Sequence, residues 1–375
     1  AAVATIPLTT VDASAFTGDT LTVEADEADS GVTVTTGSEA LSVTVGDGAN
    51  TITGTTGDDE ITTGSGADTI VSYAGDDEIV AGDGANTITV TDGENDIDGG
   101  EGVDTITAGN GNNTIDGGDG ADVIVAGTGN NTFTNSAGNA TITAGTGNNT
   151  VTNTAGNSTI TLGNGTNTVN LTAGNSTVVT GSGADDINIT AGNNDITTGA
   201  GNDTISLGSG NDTVDGGTGT DTVDFSVDRG TWAGAITDAE TVTATYTGSA
   251  TIDATGLTGY ATLNVTASGS TASTTLKNIG DATINLTDDS VEGGGDGDIE
   301  AMTIDTTDDA TITVNLGANQ EAAIAVAADL ASLTITDAAT VTLKASGGGF
   351  GNLLSSDMET VTLDDEETTA LTIET

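Results

Sequence analysis

Polar and apolar residues alternate along this chain with a nine-residue period. From Gly46 to Phe225 twenty nonapeptides follow one another without insertion or deletion. A glycine recurs at Gly48, Gly57, Gly66, Gly75 and onward to Gly219. Four residues after each stands an apolar residue, Ile52, Ile61, Ile70 and Ile79 through Phe133 to Val223. Midway falls mostly Asp or Asn, as at Asn50, Asp59, Asp68 and Asp77. The unit reads G-G-x-G-x-D-x-U-x, with U apolar at position eight and the Asp or Asn at position six. A nonapeptide cannot bury its own apolar face, so a strict repeat predicts a stack in which neighbours supply the core. Glycine turns and one inward residue per unit predict short parallel strands, two nonapeptides to a coil, with coils roughly 4.8 Å apart.

The flanks are strand-like but aperiodic. Residues 1–45 alternate with period two, as in Leu21-Thr22-Val23 and Val32-Thr33-Val34, and read as strands that cap the repeat block or continue a preceding β domain. Residues 226–375 lose the phase but keep alternating runs such as Thr262-Leu263-Asn264-Val265 and Thr311-Ile312-Thr313-Val314. An irregular β-helix or a β-sandwich fits them. Helix is expected only at Gln320–Leu330, where Ala and Glu dominate. The cluster Val223, Phe225, Val227 and Trp232 reads as an apolar plug over the end of the stack. The expected fold is therefore all-β: a right-handed parallel β-roll or β-solenoid over 46–225, a β segment or cap over 1–45, and a β-rich region over 226–375.

Each repeat position suits a cation. Glycine lets a tight turn take positive φ and brings carbonyls close to one point. The carboxylate that follows completes an oxygen cage, and Ca²⁺ is a hard cation taking six to eight oxygens. Composition sharpens this. The chain has 57 acidic residues against three basic ones, no His and a net charge of −54. That excludes nucleic-acid binding through phosphate neutralisation and argues against docking on anionic membranes. Bound cations would relieve the self-repulsion of so acidic a chain. No cysteine is present, so calcium replaces disulfides as the staple. No apolar run is long enough for a membrane span. The chain begins at Ala1 without a signal peptide, which reads as a processed product or a piece of something longer.

The block is not uniform. Full Gly-x-Gly turns fall on alternate repeats, around Gly48, Gly66 and Gly84, and change parity between Gly102 and Gly129. Between Asp122 and Asp185 there is no charged residue, and position six carries Asn131, Ala140, Asn149, Ser158, Asn167 and Ser176. Calcium is therefore expected at Asp59, Asp68, Asp77, Asp104, Asp122, Asp185, Asp203, Asp212 and Asp221, with a metal-poor middle held by stacked Asn and Thr side chains.

The nonapeptides resemble the RTX (repeats-in-toxin) family, most closely at Gly64-Ser65-Gly66-Ala67-Asp68-Thr69-Ile70 and Gly208-Ser209-Gly210-Asn211-Asp212-Thr213-Val214. The resemblance implies calcium at the Asp of each full unit and at the turn carbonyls, export by type I secretion, and folding that waits for extracellular calcium. The Thr- and Ala-rich flanks, for example Thr251-Ile252-Asp253-Ala254-Thr255, are similar in style to bacterial surface-layer proteins. Without His or Cys there is no Ser-His-Asp, Cys-His or His-zinc chemistry, and no enzyme is expected. The function expected is a calcium-dependent structural subunit of the bacterial cell surface, self-assembling into an S-layer or filament, with cell-surface polysaccharide as a further candidate partner. A stalk segment of a large adhesin and an ice-binding solenoid are the alternatives.

Overall fold

A stride of eighteen residues, two nonapeptides, sets the strand pairings within the repeat block, apart from a register shift at Tyr73. In the computed structural model the described residues are 9–15, 20–25, 31–36, 40–227, 230–232, 234–246, 250–267, 272–288, 299–316, 332–345, 360–364 and 370–374. They contain no α-helix; the only helical turn among them is a 3₁₀ turn at Ala254–Gly256. The segment Gln320–Leu330 lies outside the described residues. The chain divides into two units, residues 1–189 and 190–375.

The first unit is a parallel β-solenoid. In sheet A, Thr33, Thr51, Thr69, Thr87, Thr105, Val123, Thr141, Thr159 and Thr177 stand in one row. In sheet B the equivalent row is Glu60, Glu78, Asp96, Thr114, Thr132, Thr150, Thr168 and Asp186. Each coil thus gives one strand to each sheet. Position eight points inward from both, and Ile52, Ile61, Ile70, Ile79 and Phe133 are fully buried. Burying such a side chain stabilises by about 1.5–3 kcal/mol, and the stack repeats that gain coil by coil.

Residues ahead of Gly46 are already coils. Thr33–Thr35 pairs in parallel with Thr51–Thr53, and Ser42 of strand Ala40–Val45 pairs with Glu60. Both keep the eighteen-residue stride.

The second unit is also a parallel solenoid, but its coils lengthen. Thr204 pairs with Thr222 and Thr222 with Thr241, nineteen residues on. Thr241, Thr262 and Thr283 follow at twenty-one. Thr283 then pairs with Thr313, thirty residues on. Every pairing among the described residues stays parallel, so they form an irregular β-helix and not a sandwich. Phe225 is buried and pairs with Ala244 in a ladder that runs on past it. The expected plug is therefore part of a coil interior, because longer coils continue where the nonapeptides stop. The side chains of Val227 and Trp232 are outside the described ones.

Candidate metal centre

Position six lies where the turn enters the strand, and its side chain is turned inward. Asp68, Asp104, Asp122 and Asp212 are at most 1 % exposed. One carboxylate oxygen of each is held by a backbone N–H one coil back. Asn50 N donates to Asp68 Oδ1 at 2.6 Å, Asn86 N to Asp104 Oδ1 at 2.7 Å, and Asp104 N to Asp122 Oδ1 at 2.9 Å. The same bond joins Asp59 N to Asp77, Asn167 N to Asp185, Asn194 N to Asp212 and Asp203 N to Asp221. The second oxygen, Oδ2, of Asp68, Asp77, Asp104, Asp122, Asp212 and Asp221 is buried and has no hydrogen-bond partner.

The asparagine repeats show what that second atom faces. Asn50 Nδ2 donates to the carbonyls of Gly46 and Gly48, both at 3.0 Å. Asn149 Nδ2 reaches Gly145 O at 3.3 Å and Gly147 O at 3.0 Å, and Asn167 Nδ2 reaches Gly163 O and Gly165 O at 3.1 Å. Carbonyls two and four residues back therefore converge on this atom of the side chain. In an asparagine it is a donor. In an aspartate it is an oxygen among oxygens, buried without a proton to share. Leaving an ionised oxygen so placed costs several kcal/mol. A hard cation removes that cost and takes the carbonyls as further ligands. The donor set fits Ca²⁺. No three acidic side chains converge among the described residues, so such a site draws on main-chain carbonyls as well as carboxylates.

The electrostatics point the same way. Burial pushes the Asp104 carboxyl up to about 6, with the neighbouring Asp122 charge adding to it. Burial also raises Asp77, Asp122, Asp212 and Asp221. Without a cation these groups resist ionisation.

Asp59 stands apart. Its Oδ1 accepts from Leu41 N and Thr55 Oγ1, both at 2.8 Å, and its Oδ2 from Thr55 N at 2.7 Å and Ser72 Oγ at 3.2 Å. Thr55 occupies the second glycine position of this repeat, and its hydroxyl serves the carboxylate. Asp185 accepts from both Asn167 N and Asn167 Nδ2.

The uncharged middle carries two substitutes for a metal. In one row a ladder that begins among the acidic repeats at Asn95 and Asn113 runs through Asn131, Asn149 and Asn167, each Nδ2 donating to the next side-chain oxygen at 2.8–3.2 Å and the last to Asp185 Oδ1. In the other, Ala140 N donates to Ser158 Oγ at 3.2 Å and Ser158 N to Ser176 Oγ at 3.1 Å.

One acidic residue was not anticipated. Glu240 Oε2 accepts from Asp221 N at 2.7 Å, as each position-six Asp does one coil earlier. Its signal was the phrase Glu240-Thr241-Val242, which repeats Asp221-Thr222-Val223, shifted by the nineteen-residue coil.

The family model for the RTX calcium-binding nonapeptide repeat matches residues 44–79, 71–106, 98–133, 136–160, 143–178, 161–188 and 189–223. These matches cover just under half of the chain. No curated protein and no solved structure matches it.

Proposed function

We propose that this chain, whose residues 44–133 and 136–223 match RTX calcium-binding nonapeptide repeats, is a calcium-dependent structural protein of the bacterial cell surface. In this reading it is exported, takes up calcium outside the cell, and assembles with copies of itself into a surface layer or filament.

One observation carries self-assembly. In a chain of net charge −54, the first and third residues of the sheet A strands, which point outward, hold no charge over nine successive strands, from Thr33–Thr35 to Thr177–Val179; the only charge in those strands is Asp92, at the end of Thr87–Asp92. Every one of these first and third residues is Thr or Val. The same positions of sheet B in this unit carry Glu60, Glu78, Asp96, Asp98, Asp116 and Asp186. Repeat, register and turn are shared, so the fold does not account for the difference. Like charges across a contact cost several kcal/mol, so the neutral face is the one on which two copies approach without repulsion. Calcium bridging acidic faces supplies further contacts.

The test is a calcium titration of metal-stripped protein, followed by circular dichroism and electron microscopy. Folding and ordered sheets or filaments that both require Ca²⁺ are expected. Assembly indifferent to chelation counts against the proposal. A chain that folds with Ca²⁺ yet stays monomeric is the stalk segment of an adhesin, and thermal hysteresis from such a monomer assigns the Thr face to ice.

A further inference from the structure

We infer that Asn135 is a calcium ligand, closing a cation site with Asp122 at the border between the acidic and the uncharged repeats. Asn135 stands at position one, outside the ligand phase, and its own repeat carries Ala140 at position six.

Both side chains are wholly buried. Both present an oxygen without a hydrogen-bond partner, Asp122 Oδ2 and Asn135 Oδ1. The two meet at one place. Gly117 has no side chain, and a Cβ built on it would lie 3.0 Å from each of these oxygens. The space that glycine leaves is thus flanked by a carboxylate oxygen and a carboxamide oxygen, with Ile124 Cδ1 at 3.1 Å as its apolar neighbour. One coil earlier, the equivalent space at Gly99 lies 3.0 Å from Asp104 Oδ2 and 3.1 Å from the Gly117 carbonyl. Asn135 Oδ1 therefore takes the part that a main-chain oxygen plays in the preceding coil.

The amide orientation is fixed from its other side. Asn135 Nδ2 donates to Ala137 O at 3.3 Å and to Asn153 Oδ1 at 3.1 Å. Turning the amide over would set two acceptors against its oxygen. Asn153 stands at the same position one coil on, and its oxygen is occupied by that bond, so Asn135 alone of the pair faces the space with a free oxygen. When Asp122 is ionised no proton lies between the two oxygens, and an amide oxygen held toward a buried carboxylate then needs a cation.

One carboxylate with neutral oxygens makes a weak site. Ligand charge sets calcium affinity, and modules of this kind bind on the order of 10⁻⁴ to 10⁻³ M.

The test counts bound calcium by equilibrium dialysis and follows the melting temperature of the full chain. Asn135→Leu is the first variant, since Leu162 and Leu171 occupy this inward position in other repeats. It should lose one calcium per chain, or bind that ion at least tenfold more weakly, with an unchanged circular dichroism spectrum. Asn135→Asp should keep the ion and bind it at least as tightly. Unchanged stoichiometry and affinity in Asn135→Leu would overturn the inference. So would weaker binding in Asn135→Asp, which also decides the matter should the Leu variant not fold. The inference rests on calcium binding by the repeats. A wild-type chain that takes up no calcium would remove that premise as well, whereas the variants alone remove only Asn135.

Discussion

Asn167 Nδ2 donates to Asp185 Oδ1 at 2.9 Å, the point where a ladder of buried amides meets a carboxylate. Along this row the same corner of the coil is filled by a hydrogen-bond donor at Asn149 and by a bare oxygen at Asp77 and Asp221. The amide nitrogen does for the turn carbonyls what calcium does elsewhere, without depending on the solution. Asparagine at position six therefore makes a coil that holds its corner without metal. Aspartate makes one that needs it.

Replacing one rung tests this directly. Asn149→Asp removes the donor to Gly145 O, Gly147 O and Asn167 Oδ1. A buried group left unsatisfied costs about 1–3 kcal/mol. Chemical denaturation in calcium-free buffer should show a loss of that size, and millimolar Ca²⁺ should restore most of it. Asn149→Leu should lose stability under both conditions. If calcium rescues both variants equally, the amide is not standing in for a cation.

Asp104 and Asp59 should respond in opposite ways to the same change. Asn86, one coil before Asp104, donates to Gly82 O at 3.2 Å and Gly99 O at 3.1 Å. Asp104→Asn should find equivalent acceptors, gain about 1 kcal/mol in metal-free buffer, and bind less calcium. Asp59 is already satisfied by Thr55, Ser72 and Leu41. Asp59→Asn sets an amide against donors and should cost about 1–3 kcal/mol with or without calcium. Paired melts and calcium counts of the two variants separate a carboxylate that awaits a cation from one that does not.

Much of this was legible in the chain. The nine-residue phase announces the coil, its inward Ile row and the carboxylate corner, because every repeat spends the same positions on the same tasks. What escaped was whatever left that phase. Glu240 continues an acidic row after a nineteen-residue coil, so a strict period passes over it. Asn135 carries its oxygen at position one, where the motif has glycine. Thr55 reads as a degraded glycine until its hydroxyl is seen on Asp59. The β-helix of the second unit has coils of nineteen, twenty-one and thirty residues, which share no period, and only the pairing of Thr283 with Thr313 reveals it as parallel.

The neutral face of sheet A makes a prediction about assembly. Thr143 and Thr161 are exposed on it and stand in register. Thr143→Glu with Thr161→Glu should lower assembly in Ca²⁺ at least tenfold by light scattering. Thr134→Glu with Thr152→Glu, at the same repeat position of sheet B, should assemble as the wild type does. Both pairs should melt at the wild-type temperature. Equal loss in both would mean that added charge in general, and not this face, governs association.

The pH dependence of the metal-free chain should run opposite to that of the calcium-loaded one. Asp104 is raised to about 6 in the fold by burial and by Asp122, against about 3.9 for an unfolded aspartate. The folded state thus binds the proton more tightly. Its contribution to stability is fully present below the unfolded pKa and is lost as pH rises through about 6. Asp77, Asp122, Asp212 and Asp221 are shifted in the same direction by burial and add to the trend. Thermal melts of metal-stripped protein in calcium-free buffer should therefore fall from pH 4 to pH 7. In saturating Ca²⁺ the sign inverts. Protons compete with the cation for the same oxygens, so the melting temperature should hold above pH 6 and drop as the carboxylates are protonated below it. A metal-free chain that grows more stable as pH rises from 4 to 7 would show that these buried oxygens are charged and satisfied by the protein alone, and the calcium reading of the corner would fail with it.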